Sequence, residues 1–102
     1  MNNTFATEEQ YNIRVSGALK NIRELYIRNK CHYCEIVIDI IDELGIHIDY
    51  RNISTSKQYK KRLVANCGRA TVPVLYYIAD NGKDCWLSES DEIIRHLLQT
   101  HG

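Results

Sequence analysis

Cys31-His32-Tyr33-Cys34 sits where the hydrophobic period of the chain changes, and that junction limits the available folds more than any other feature. Ahead of it, Glu24-Leu25-Tyr26-Ile27 has strand composition. Behind it, Ile36, Val37, Ile40, Ile41 and Leu44 share one face of a helix predicted from Tyr33 to Leu44, with Asp39, Asp42 and Glu43 elsewhere and Gly45 suited to the C-terminal cap. A strand that runs straight into such a helix implies a helix packed on a sheet.

The remaining pattern extends this unit. Ile46, Ile48 and Tyr50 alternate with His47, Asp49 and Arg51, the period of a half-buried strand over 46–52. A helix follows, capped by Ser54 or Ser56, with Tyr59, Leu63 and Val64 on its inner face and Gly68 closing it. Two further strands, Val72 to Ile78 and Cys85 to Leu87, flank the turn signal Asn81-Gly82. A last helix starts near Ser90 and is expected to bury Ile93, Ile94, Leu97 and Leu98. Upstream, Thr7 to about Asn21 reads as an amphipathic helix through Tyr11, Val15, Ala18, Leu19 and Ile22, with Thr7 and Gln10 as a capping box. Gly17 weakens that helix by roughly 1 kcal/mol relative to alanine. The chain thus divides into an N-terminal helical extension, 1–22, and one α/β domain, 23–102. The expected architecture is a thioredoxin-like fold: a four-stranded mixed sheet flanked by helices, its first two strands joined by a right-handed crossover and its last two by a hairpin.

At 102 residues, 44% of them hydrophobic, such a domain folds without disulfide staples, so the four cysteines call for another explanation. Thirteen basic residues balance thirteen acidic ones, which leaves no global field to hold nucleic acid or an anionic membrane. The first ten residues lack the basic and apolar regions of a signal peptide, and no apolar run is long enough to span a bilayer. A cytoplasmic monomer is expected, in a compartment that keeps thiols reduced.

Cys31 at the start of a helix meets unpaired backbone N–H groups and the positive end of the macrodipole, which favour a thiolate. It also stands ahead of the helix, open to solvent, and is expected to be the nucleophile. Cys34 inside the first turn can attack a mixed disulfide on Cys31. Arg28, Lys30 and, when protonated, His32 add positive charge that tunes the pair. A zinc site would require a second closely spaced ligand pair; Cys67 and Cys85 stand alone and His47, His96 and His101 lack ligand spacing, so no metal is assigned. Two other segments carry an ordinary and a functional reading. Thr71-Val72-Pro73 is either a plain strand start or a cis-proline that presents the Val72 backbone to a substrate. Glu89-Ser90-Asp91 either caps the last helix or receives an amino-acid zwitterion, the carboxylate on N–H groups and the ammonium on acidic side chains.

In these motifs, from Leu25-Tyr26 through Cys31-His32-Tyr33-Cys34 and Thr71-Val72-Pro73 to Trp86-Leu87-Ser88-Glu89-Ser90-Asp91-Glu92-Ile93-Ile94, residues 24–99 resemble the glutaredoxins, in particular short bacterial ones that are similar to the N-terminal domain of glutathione transferases. The resemblance implies glutathione as co-substrate with no tightly bound cofactor, and disulfide-containing or glutathionylated proteins as partners. It also implies that Cys31 carries the mixed disulfide, that Tyr33 lines the site, and that Val72, before a cis-Pro73, pairs with the cysteinyl backbone, with Thr71 and Pro73 in the same glutathione site. Glu89, Ser90 and Asp91 match positions that take the γ-glutamyl end, and Arg28 and Lys60 match positions near the glycyl carboxylate. Arg28 stands in for the family's usual lysine, and Lys60 equally suits a solvated face with Lys57, Lys61 and Arg62. His32 replaces the family's usual proline, a change expected to make the disulfide more oxidising. Two other functions fit the motifs: a carrier of a glutathione-ligated [2Fe–2S] cluster, and a thioredoxin-like disulfide reductase without glutathione selectivity. A glutathione transferase is disfavoured because the chain ends before a helical second domain.

Overall fold

The computed structural model describes residues 23–101; the helix expected over Thr7 to Asn21 lies outside the described residues. The described chain forms β1 (Arg23–Ile27), α1 (His32–Leu44), β2 (Asp49–Asn52), α2 (Lys57–Cys67), β3 (Val74–Ile78), β4 (Asp84–Leu87) and α3 (Ser90–His101). The strands make one mixed sheet in the order β2-β1-β3-β4. β1 runs parallel to β2, with Leu25 opposite Tyr50, and antiparallel to β3, with Tyr26 opposite Val74. β3 and β4 pair antiparallel across a turn that Gly82 permits at φ 84°, a left-handed conformation costly for residues with a Cβ. The Asn81 side chain accepts from the Lys83 N–H there, at 3.1 Å.

Because strand side chains alternate, the sheet feeds two cores. Leu25 and Leu75 point to one face, where Val37 and Ile41 of α1, Ile93 and Leu97 of α3, and Ile48 cover them. Tyr26, Val74 and Tyr76 point to the other, where Leu63 of α2, Val72, Cys31 and Cys34 complete a second cluster. Each fully buried leucine or isoleucine contributes about 1.5–3 kcal/mol before entropy is subtracted. Two helices carry the end signals their sequences offer: α1 closes on Gly45 and α2 on Gly68, both left-handed, and the Ser56 hydroxyl accepts from the Tyr59 N–H at 3.2 Å.

Of the two serines expected as the cap of α2, Ser56 takes the role and Ser54 is occupied elsewhere. Other expectations need correcting. The strand expected over 46–52 pairs only from Asp49. Ile36, Tyr50, Val64 and Leu98, expected inside, are exposed. On α1, α2 and α3 the buried strip is narrower than the apolar pattern: the sheet and the α1–α3 contact cover Val37, Ile41, Ile93 and Leu97, the other sheet face covers Leu63, and the flanking positions are left in water. Tyr50 lies on the edge strand β2.

Candidate active site at the Cys31 edge

The chain leaves β1 at Ile27 and makes its turn into α1 at Lys30, whose φ of 55° lies in the left-handed region. That conformation is uncommon for a residue with a side chain, and its surroundings hold it. The Ile53 N–H donates to the Ile27 carbonyl at 2.8 Å, the Asn29 N–H donates to Ser54 Oγ at 3.0 Å, and Asn52 Nδ2 donates to Asn29 Oδ1 at 2.9 Å. The loop between β2 and α2 therefore braces the loop that delivers Cys31. The two asparagines were not singled out from sequence and Ser54 entered only as a candidate helix cap; the only local hint is the Asn52-Ile53-Ser54 turn, in which Asn52 Oδ1 accepts from the Ser54 N–H.

Cys31 is the N-cap of α1. Its carbonyl accepts from the Glu35 N–H at 3.1 Å and its sulfur from the Cys34 N–H at 3.2 Å, so the sulfur takes one of the donors that a helix start leaves free. The two cysteines are joined as a disulfide with their Cα atoms 5.2 Å apart. In this oxidised form Cys31 is 5% and Cys34 2% exposed, so Cys31 is less open to solvent than its place ahead of the helix suggests. What separates the two is the capping position. His32 and Tyr33 project outward from the same turn with ring centroids 5.6 Å apart, and Tyr33 is 61% exposed.

The Val72–Pro73 bond is cis. Val72 packs in the cluster that holds both cysteines, while Thr71 and Glu89 both line a cavity of about 250 Å³. Arg69, Asn66 and Ser88 line the same cavity and were missed from sequence; Gly68, by ending α2, turns that segment back toward Thr71. Cys67 also faces it, and burial pushes its thiol pKa up. The Glu89 carbonyl accepts from the Ile93 N–H at 2.9 Å, which makes Glu89 the residue that starts α3, followed by half-buried Ser90 and exposed Asp91. Arg28, Lys30 and Lys60 are exposed, and none makes an ion pair among the described residues. Lys60 lines a separate groove with Lys57 and Lys61, away from the cavity of Thr71 and Glu89.

The glutaredoxin family model matches residues 24–82, more than half of the chain and the span that holds both cysteines and the cis-proline. The chain belongs to the glutaredoxin family. Among solved structures it is similar to a buckwheat glutaredoxin–glutathione complex, at 22% identity and a TM-score of 0.57, over 92% of this chain and 86% of that one. It is also similar to a glutaredoxin from Archaeoglobus fulgidus, at 17% identity and TM-score 0.59, over 83% and 92%. A maleylacetoacetate isomerase from Anaeromyxobacter dehalogenans with bound dicarboxyethyl glutathione matches at 22% identity and TM-score 0.59, over 78% of this chain and 37% of the isomerase. At these identities the likeness concerns the fold. No curated protein matches the chain in sequence. For this glutaredoxin the geometry supports one chemistry directly: a vicinal pair of sulfurs that can cycle between dithiol and disulfide at a helix start.

Proposed function

We propose that the protein is a glutathione-dependent thiol–disulfide oxidoreductase that reduces glutathione mixed disulfides and protein disulfides in the cytoplasm. The observation that carries this reading is the packing of Cys31, at the start of α1, in one cluster with Val72 of the cis Val72–Pro73 bond, next to Thr71, which lines a cavity together with Glu89. Cys31 thiolate attacks the glutathionyl sulfur of the mixed disulfide, and the substrate thiolate leaves and takes a proton. Cys31 then carries glutathione in disulfide linkage. Either a second glutathione thiolate attacks that linkage and leaves as glutathione disulfide, or Cys34 attacks Cys31, releases glutathione and forms the Cys31–Cys34 disulfide. Two glutathiones restore the dithiol and depart as one glutathione disulfide.

In this reading Tyr33, Thr71, Val72 and Pro73 border the cysteinyl part, Glu89, Ser90 and Asp91 receive the γ-glutamyl end, and Arg28 and Lys60 face the glycyl carboxylate. Lys30, and His32 when protonated, favour the thiolate by their charge. The test compares one peptide carrying either a glutathione or a cysteine mixed disulfide, with glutathione as reductant. Preferred turnover of the glutathionylated peptide supports the proposal. Equal turnover points to a disulfide reductase without glutathione selectivity, and a coloured glutathione-containing dimer without turnover points to a cluster carrier.

A further inference from the structure

α1 and α2, on opposite faces of the sheet, carry opposite charge. α2 carries Lys57, Lys60, Lys61 and Arg62 and no carboxylate, whereas α1 on the opposite face carries Glu35, Asp39, Asp42 and Glu43 and no lysine or arginine. Arg62 is engaged with Tyr26 and Glu24. Lys57, Lys60 and Lys61 are exposed and make no ion pair among the described residues. They surround Val64 and Ala65 in a shallow, open groove along α2 alone, and Val64 is 39% exposed. Val64 is not needed to seat the helix, because Leu63, with no exposed surface, does that. The groove also lies on the element that abuts the reactive edge: Leu63 shares a cluster with Cys31 and Cys34, and Ser54, three residues before Lys57, holds Asn29.

We infer that this groove docks an acidic segment of the disulfide-bearing partner polypeptide, carboxylates on Lys57 and Lys61 and one apolar side chain on Val64, with Lys60 left to glutathione. The inference rests on the proposed dithiol chemistry for its consequence. Cys31 attacks the partner's disulfide and frees one partner thiolate; Cys34 then attacks Cys31, frees the second, and closes the Cys31–Cys34 disulfide. The partner gains two electrons and two protons, and glutathione regenerates the dithiol. Charges at such a rim act chiefly through encounter rate and weaken with salt.

The experiment uses synthetic peptides with one internal disulfide, flanked by Glu and Leu or by Lys and Leu. Wild-type protein at low salt should reduce the acidic peptide with a kcat/KM roughly tenfold above the lysine peptide, the gap closing at high salt. The double variant Lys57→Glu/Lys61→Glu should reverse the preference and leave turnover of glutathionylated mercaptoethanol within about twofold, while Asp39→Lys/Asp42→Lys should change neither. A redox-inert acidic peptide with serines for cysteines, titrated onto the protein, reads the groove alone and keeps its failure distinct from failure of the oxidoreductase reading. Equal binding of acidic and lysine peptides by the wild type would overturn the inference. So would loss of binding on reversing α1 instead of α2, or a self-associating chain whose dimer the acidic peptide cannot displace.

Discussion

Arg62 Nε donates to the Tyr26 hydroxyl at 2.7 Å, and this bond ties α2 to the strand that leads into Cys31. The guanidinium also lies 5.0 Å from the ring centre of Tyr76 and 5.3 Å from that of Trp86, and 3.9 Å from a Glu24 oxygen. Glu24 in turn accepts from Tyr26 and from Arg51. Arg62→Ala should cost about 1–2 kcal/mol, the range for a hydrogen bond to a charged group together with partly exposed cation–π contacts. Arg62→Lys should recover only part of it, since lysine keeps the charge and loses the planar fork. Urea denaturation of both variants checks this; wild-type stability in Arg62→Lys would show that charge alone matters.

His96 lies against Tyr77 with ring centroids 4.1 Å apart, and burial, then Arg23, lower its pKa from the ordinary 6.5. The unfolded chain therefore binds a proton at a pH where the folded one does not. The stability contributed by neutral His96 is complete above the ordinary histidine pKa and is lost as pH falls from there through the folded-state value. His96→Phe keeps the ring on Tyr77 and removes the proton. Thermal melts from pH 8 to 5 should show a shallower acid-side decline for the variant, and parallel curves would contradict the assignment.

Cys67 and Cys85 should be dispensable. Burial raises the Cys67 pKa, so near neutral pH it stays a thiol, the unreactive form. Replacing both with serine should leave turnover within about twofold, and a tenfold loss, about 1.4 kcal/mol of barrier, without unfolding would reveal a role for one of them.

Lys60→Ala and Asp91→Ala should each raise the Michaelis constant for a glutathione mixed disulfide a fewfold, on the order of 1 kcal/mol for an exposed charge contact, with little effect on other disulfides. Steady-state kinetics at low salt on both substrates checks this. Unchanged constants for both variants would remove the two ends of the glutathione site and leave Cys31 chemistry standing.

The strand-to-helix junction at Cys31, the hairpin at Gly82 and the glycine caps were legible because each is local: a period change, a dipeptide, a residue without Cβ. The same locality explains what was misread. Arg62 looked like a member of a solvated lysine face, yet it lies over Tyr76 and Trp86, residues from two other strands. The bracing of Asn29 by Ser54 joins positions 25 apart and leaves no pattern in either segment. Ile36, Val64 and Leu98 fit an apolar helix stripe, but how wide a stripe is covered depends on neighbours that periodicity cannot count.

In the proposed reaction Cys31 takes glutathione from a mixed disulfide and Cys34 does not. This is tested most directly by incubating the Cys31→Ser and Cys34→Ser variants with a glutathionylated peptide and reading intact mass and turnover. Cys34→Ser should acquire a single glutathionyl adduct, mapped to Cys31, and go on turning over when glutathione is added. Cys31→Ser should do neither. An adduct and sustained turnover in Cys31→Ser would contradict the account.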